Sequence, residues 1–250
     1  LNDGTNYLVK VIAIDDVGNT GEDASDLLFA IDNTLPQITN VVANPDPQET
    51  GGFVNISCNV TDMSCVNVVK VNITYPSGGT ANMTMSGGSY YYDTTYTQLG
   101  TYYYFIWAND TENNIRRSPI HSFIIQDTTP PQITNVVANP DPQETEGFVN
   151  ISADITDNIG VADVFLNITY PDDSTENFSI FQNRTDNTYY CNKSYTQVGT
   201  YTFSIWATDS SDNTNTSELY QFHIIITHID ISPTTQFHYQ NETFFVNVTI

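Results

Sequence analysis

Six aspartates recur in this 250-residue chain at spacings that would let them act together. Asp32 and Asp127 precede the prolines of two linkers. Asp62 and Asp157 follow one apolar alternation, and Asp110 and Asp209 end another. Calcium takes about six to eight hard oxygens, and turns rich in Asp, Asn and Thr can supply them. Asp15 repeats the place of Asp110 and Asp209, and Asp46 with Glu49 recurs as Asp141 with Glu144. There is no EF-hand loop, and Asp and Asn also close ordinary turns through bonds to nearby backbone. The carboxylates therefore carry two expectations: turn closure throughout, and calcium at module junctions through Asp32, Asp62, Asp110, Asp127, Asp157 and Asp209.

Modification chemistry is richer. Thirteen of the 27 asparagines stand in Asn-x-Ser/Thr sequons: Asn55, Asn59, Asn72, Asn82, Asn109, Asn150, Asn167, Asn177, Asn183, Asn192, Asn215, Asn241 and Asn247. N-linked glycans are expected at several of them if the chain is exported in a host that glycosylates. Of the three cysteines, Cys58 and Cys65 lie seven residues apart, and the second copy of the repeat replaces both, by Ala153 and Gly160. Joint loss predicts a Cys58–Cys65 disulfide and an oxidising compartment. Cys191 is left as a free thiol or an intermolecular link.

Catalytic constellations do not assemble. His121, His223, His228 and His238 are the only histidines, and none recurs between copies beside a partner. The motifs Gly-x-Ser-x-Gly, HExxH, CxxC and the phosphate loop do not occur. No catalytic residue is assigned. Six Lys and Arg against 29 Asp and Glu give a net charge of −23, which excludes nucleic acid as a partner held through its phosphates. No apolar run reaches 18 residues, so no membrane insertion is expected within this sequence.

Repeats position these groups. Residues 36–50, PQITNVVANPDPQET, are identical to residues 131–145, an offset of 95. The offset holds through Asn72-Ile73-Thr74-Tyr75-Pro76 against Asn167-Ile168-Thr169-Tyr170-Pro171. It becomes 99 by Ile106-Trp107-Ala108 against Ile205-Trp206-Ala207. Two complete modules follow, 36–130 and 131–227. Residues 1–35 match the C-terminal part of a module, and 228–250 match the N-terminal part of another. The chain is read as a window on a longer tandem array, with half-modules completed by neighbouring chains as the alternative.

Each module alternates with period two. Val54, Ile56, Cys58 and Val60 face one way, and Tyr102, Tyr104, Ile106 and Ala108 do the same. Strands are predicted at 37–43, 53–60, 66–75, 80–85, 90–96, 101–109 and 119–126, with no helix. The fold class is all-β: tandem seven-stranded antiparallel immunoglobulin-like β-sandwiches. Tyr102 and Tyr201, each after Gly-Thr, sit where a tyrosine corner forms, so their hydroxyls are expected to bond backbone. Trp107 and Trp206 fall on the outward phase.

The linker Asp127-Thr128-Thr129-Pro130-Pro131, then Ile155-Thr156-Asp157-Asn158, Gly199-Thr200-Tyr201, and Trp206-Ala207-Thr208-Asp209 with Asp212-Asn213 give the chain a family likeness. It resembles the tandem immunoglobulin-like, fibronectin-III-like and PKD-like modules of archaeal and bacterial cell-surface proteins. The resemblance covers the whole chain and implies stalks, surface layers, adhesins or spacers of secreted enzymes, and no catalysis. It also implies linkers stiffened by calcium. A structural extracellular repeat region is the leading expectation, partnered by copies of itself or neighbouring modules of the same array. The alternatives are an adhesin that binds carbohydrate or a partner protein, and a spacer within a secreted enzyme.

Overall fold

The computed structural model describes residues 3–27 and 29–226. The part read as a further module, 228–250, lies outside the described residues, as do Asn241, Asn247, His228 and His238. The chain divides into two compact units, Leu1–Thr128 and Thr129–Ile250.

In the first unit, residues before 36 form four strands: β1 (Gly4–Tyr7), β2 (Lys10–Ile14), β3 (Thr20–Ala24) and β4 (Phe29–Ile31). β1 pairs β4, and β2 and β3 make a hairpin that leaves Val11, Ile12 and Ile14 exposed. The complete module then runs β5 (Gln37–Asn44), β6 (Gln48–Glu49), β7 (Phe53–Thr61), β8 (Val66–Thr74), β9 (Thr80–Thr84), β10 (Tyr90–Thr95), β11 (Gly100–Asp110), β12 (Ile115–Arg117) and β13 (His121–Gln126). One sheet has the order β10-β7-β5. The other has the order β6-β13-β11-β8-β9, with β12 beside β11. All pairs are antiparallel except β6 with β13.

The second unit repeats this arrangement with β14 (Gln132–Asn139), β15 (Gln143–Glu144), β16 (Phe148–Thr156), β17 (Val161–Thr169), β18 (Thr175–Ser179), β19 (Arg184–Thr185), β20 (Thr188–Ser194), β21 (Gly199–Asp209), β22 (Thr214–Thr216) and β23 (Tyr220–Ile225). Its sheets are β14-β16-β20-β19 and β15-β23-β21-β17-β18, with β22 beside β21. Each complete module is thus an all-β immunoglobulin-like or fibronectin-III-like sandwich. The short strands β6, β12, β15, β19 and β22 were not predicted: two or three residues are too few to show a period.

Alternation builds the core as the sequence requires. In β7, Val54, Ile56 and Cys58 are buried, and in β11, Tyr102, Tyr104, Ile106 and Ala108 are buried. An aromatic layer closes one end. Tyr102 stacks on Phe123 at 4.9 Å, Tyr96 meets Tyr102 edge-on at 4.9 Å, and Tyr201 stacks on Phe222 at 4.9 Å in the second unit. The corner tyrosines bond backbone as predicted: Tyr102 Oη donates to Gln98 O at 3.1 Å and Tyr201 Oη to Gln197 O at 3.0 Å. Gly199 precedes that corner with φ 140, and a Cβ there would lie 2.8 Å from Pro171 Cβ. The glycine is therefore required by both dihedral and space.

Candidate functional site: a carboxylate triad and a sequon-bearing sheet face

Asp110, at the end of β11, opens a turn that the sequence repeats three times. Its Oδ1 accepts the Asn114 N–H and its Oδ2 accepts Asn114 Nδ2, each at 2.8 Å. Asp209 holds Asn213 in the same way, with Oδ1 to N at 2.9 Å and Oδ2 to Nδ2 at 2.8 Å. Asp15 holds Asn19 at 2.8 and 2.7 Å. Turn closure is thus one role of these carboxylates. Asp46 and Asp141 do related work at strand edges. They accept the N–H groups of Ile124 at 2.9 Å and His223 at 2.8 Å. Glu49 accepts the Thr128 hydroxyl at 2.8 Å.

Turn closure does not account for the company Asp110 keeps. Asp32 follows β4, and its Oδ1 accepts the N–H and hydroxyl of Thr34 at 2.8 and 2.5 Å. The Thr34 hydroxyl holds the Asp32 carboxyl below its ordinary pKa, so it stays ionised. Asp62 follows β7, and its Oδ1 accepts the N–H and hydroxyl of Ser64, both at 2.9 Å. One carboxylate oxygen from each of Asp32, Asp62 and Asp110 lies within 4.8 Å of the others. Asn114 Nδ2 ties the group together by also donating to Asp32 O at 3.0 Å. Asp32 is 7% exposed and Asp110 0%. Oδ2 of Asp32 and Oδ2 of Asp62 are enclosed and accept no hydrogen bond.

Buried anionic oxygens with no donor carry a desolvation cost that a cation would offset. Calcium–oxygen distances of about 2.3–2.6 Å put opposite ligands about 5 Å apart. The observed spacing therefore fits a divalent cation held by Asp32, Asp62 and Asp110. No Lys or Arg takes that role: among the described residues the lysine ion pairs are Lys10–Glu22 and Lys193–Glu176.

In the second unit Asp157 and Asp209 stand at the equivalent places, with carboxylate oxygens within 4.8 Å of each other. Asp157 Oδ1 accepts the N–H groups of Ile159 and Gly160, each at 2.8 Å, and its Oδ2 is enclosed without a hydrogen bond. Asp127, the repeat equivalent of Asp32, is buried near the end of the first unit.

The sequons differ in exposure. Asn59, Asn82, Asn150, Asn177, Asn183, Asn192 and Asn215 are exposed, and Asn55, Asn72 and Asn167 are half-buried. Asn109 is a correction. It was expected to carry a glycan, yet it is 9% exposed with Oδ1 enclosed. Ala108, Asn109 and Asp110 are all buried at the end of β11, where the β11–β8 ladder shifts register between Asn109 and Asp110. Asn109 keeps the outward phase of β11 but is covered there.

The cysteines are a second correction: Cys58, Cys65 and Cys191 are all free. Cys58 sits inside the sandwich between Ile56 and Val60, where burial pushes its thiol pKa up to about 11, and Cys65 is exposed at the start of β8. The inward phase of β7 separates them. Cys191 is buried in the second core, where burial raises its thiol too.

Trp107 and Trp206 are half-buried on the outer sheet face, as their phase predicted. Lys70, Asn72, Asn82, Phe105 and Trp107 line a shallow depression of about 210 Å3.

No family model and no curated protein matches the chain. Among solved structures, the chain is similar to a tetra-tandem repeat from the extending region of a large adhesion protein, at 22% identity and a TM-score of 0.44. The match covers 90% of this chain and 57% of that one, so the chain spans little more than half its length. A two-domain fibronectin type-III segment of chicken tenascin is similar at 10% identity and a TM-score of 0.40, covering 74% of this chain and 96% of that one. Fibronectin(III)-like modules of Clostridium thermocellum CbhA follow at 17% identity and a TM-score of 0.30, covering 80% and 100%. The assignment of each complete module to the immunoglobulin-like and fibronectin-III-like class rests on its own strand order.

Proposed function

We propose that the chain is the repeat region of a glycosylated extracellular protein, a stalk, surface layer or filament, whose module junctions are stiffened by a divalent cation. The observation that carries this reading is the triad of Asp32, Asp62 and Asp110. Its members come from the end of one module, the exit of β7 and the end of β11, so a cation there ties a junction to the body of the next module. Enclosed carboxylate oxygens without donors are groups that a cation would satisfy. Calcium is the species proposed, because the donors are hard oxygens and extracellular modules work with weak sites at millimolar calcium. By the repeat offset, Asp127, Asp157 and Asp209 are its counterparts in sequence.

No step of catalysis is proposed. The His223–Asp141 contact, Nδ1 to Oδ1 at 3.1 Å, serves the strand edge: the same carboxylate oxygen accepts the His223 N–H. The test is calorimetric titration of the chelator-treated chain with calcium, followed by thermal unfolding with and without the ion. Saturable binding with a raised midpoint supports the reading. A calcium stoichiometry unchanged by loss of all three of Asp32, Asp62 and Asp110 refutes the assignment of an ion to them.

A further inference from the structure

Two sequons of each complete module face each other across a strand pair, with aromatic rings beside them. In the first, Asn82 on β9 lies directly opposite Asn72 on β8, and Asn72 lies opposite Phe105 on β11. In the next row Lys70 lies opposite Trp107. These five residues line the depression already described. The Arg117 guanidinium stacks 3.4 Å from the Phe105 centroid and holds that ring in place.

The second module reaches the same arrangement with different residues. Asn177 lies opposite Asn167, which lies opposite Ser204, while Phe165 lies opposite Trp206. The repeat offset makes Ser204 the counterpart of Phe105, and Phe165 the counterpart of Lys70. One aromatic is lost from the strand that carries the tryptophan and one is gained on its neighbour. Two rings remain beside the sequon pair, Phe165 and Trp206, 5.4 Å apart. A third instance lies on the other sheet of that module. Asn150 is opposite Asn192, and the two line a depression with Tyr190.

Within the pairs on β8–β9 and β17–β18, exposure is unequal in the same sense. Asn82 and Asn177 are exposed, whereas Asn72 and Asn167 are half-buried. Adjacent strands are about 4.8 Å apart, so a ring linked to Asn82 Nδ2 reaches across β8 to the aromatics. A pyranose offers an apolar C–H face to pack on an indole and hydroxyls to bond the Asn72 amide and the Lys70 ammonium. That is the usual division of labour in an aromatic-lined site with a few polar groups. Directly opposed residues have Cβ atoms only about 4.5–5.5 Å apart, which leaves room for one sugar per pair.

We propose that this face is a saccharide-packing site. The first sugar of an N-linked glycan on Asn82 packs on Trp107 and Phe105, and the sugar on Asn177 packs on Trp206 and Phe165, while Asn72 and Asn167 stay unmodified and bond the sugar. The proposal rests on the reading of the chain as a glycosylated surface repeat and adds to it where the first sugar lies and what holds it.

The experiment uses the whole chain secreted from a host that installs N-glycans. It combines peptide mass mapping with thermal midpoints for wild type, Asn82→Gln, Trp107→Ala and the double variant. Expected are occupied Asn82 and Asn177 with empty Asn72 and Asn167 on the same molecules. Asn82→Gln should lower the first module's midpoint by roughly 5 °C when Trp107 is present and leave it unmoved in Trp107→Ala. Enzymatic removal of the glycan from the wild type should shift indole emission to the red, a readout that stands if Trp107→Ala does not fold. Sequons left empty in such a host overturn the glycosylated reading and this proposal together. Occupied sequons with equal effects of Asn82→Gln in both backgrounds, or indole emission unmoved by glycan removal, overturn the packing site alone. A free N-acetylglucosamine oligomer that saturably shifts indole emission of the fully glycosylated wild type would assign the depression to a captured sugar and overturn the attached one.

Discussion

Asp62→Asn should stabilise the protein in chelator and destabilise it in calcium. The Asp62 and Asp110 oxygens lie within 4.8 Å, where two unit charges repel by about 0.9 kcal/mol at a water-like dielectric and about 3.5 kcal/mol at an effective dielectric of 20. Asp62 is half-buried, so the lower end applies, and removing its charge stabilises the ion-free state by about 1 kcal/mol. Asparagine keeps an Oδ1 acceptor for the Ser64 N–H and hydroxyl, so the local turn survives. With calcium the sign reverses. A ligand at about 100 times its dissociation constant stabilises by about 2.7 kcal/mol, and each tenfold loss of affinity removes about 1.4 kcal/mol of that. Losing one of three carboxylates weakens binding by at least that factor, so the deficit exceeds the relief of repulsion. The assay is differential scanning calorimetry of both chains, in excess chelator and in millimolar calcium. The midpoints should cross by a few degrees. A shift of one sign in both conditions would refute the triad as a cation site and leave Asp62 as a turn residue only.

Further outcomes follow from single contacts. Tyr201→Phe removes the bond to Gln197 O and should cost about 1 kcal/mol, whereas Tyr195→Phe should be neutral or stabilising, because the Tyr195 hydroxyl is buried without a partner and burial raises its pKa; equal losses in chemical denaturation would contradict this. A bulky thiol reagent should label Cys65 alone in the native protein and all three cysteines in denaturant, counted by intact mass; rapid native labelling of Cys58 would mean that its strand is not packed. Asp154 is held below its ordinary pKa first by the Asn135 amide and then by the Thr188 hydroxyl. Its folded pKa lies below the unfolded one, so its contribution is present above about pH 4 and is lost as pH falls through the folded value. Asn135→Gly, which suits the positive φ of 53 at that position, should flatten the stability–pH curve below about pH 4; an unchanged curve would exclude the Asn135–Asp154 bond.

The longer strands were legible because strand period and turn chemistry are local. The alternation of Val54, Ile56 and Cys58 and the Gly-Thr-Tyr corner needed only neighbouring residues to read. The same alternation also held the answer for the cysteines. Cys58 shares the inward phase of Ile56, which argues against a bridge to an exposed residue seven positions on. Asn109 was not legible, because what covers an outward side chain is decided by packing that strand phase does not carry.

By itself, then, the sequence determined the module, its two complete copies, the sandwich class and the set of six recurring carboxylates. Those follow from period two and from an exact repeat, both properties of the chain read in order. Tertiary structure decided which atoms meet. It brought Asp32, Asp62 and Asp110 together from segments 30 and 48 positions apart, left two of their oxygens without donors, and set Asn82 across from Asn72 beside Phe105. Burial and direction are properties of packed neighbours, and long-range packing is what a linear pattern does not encode.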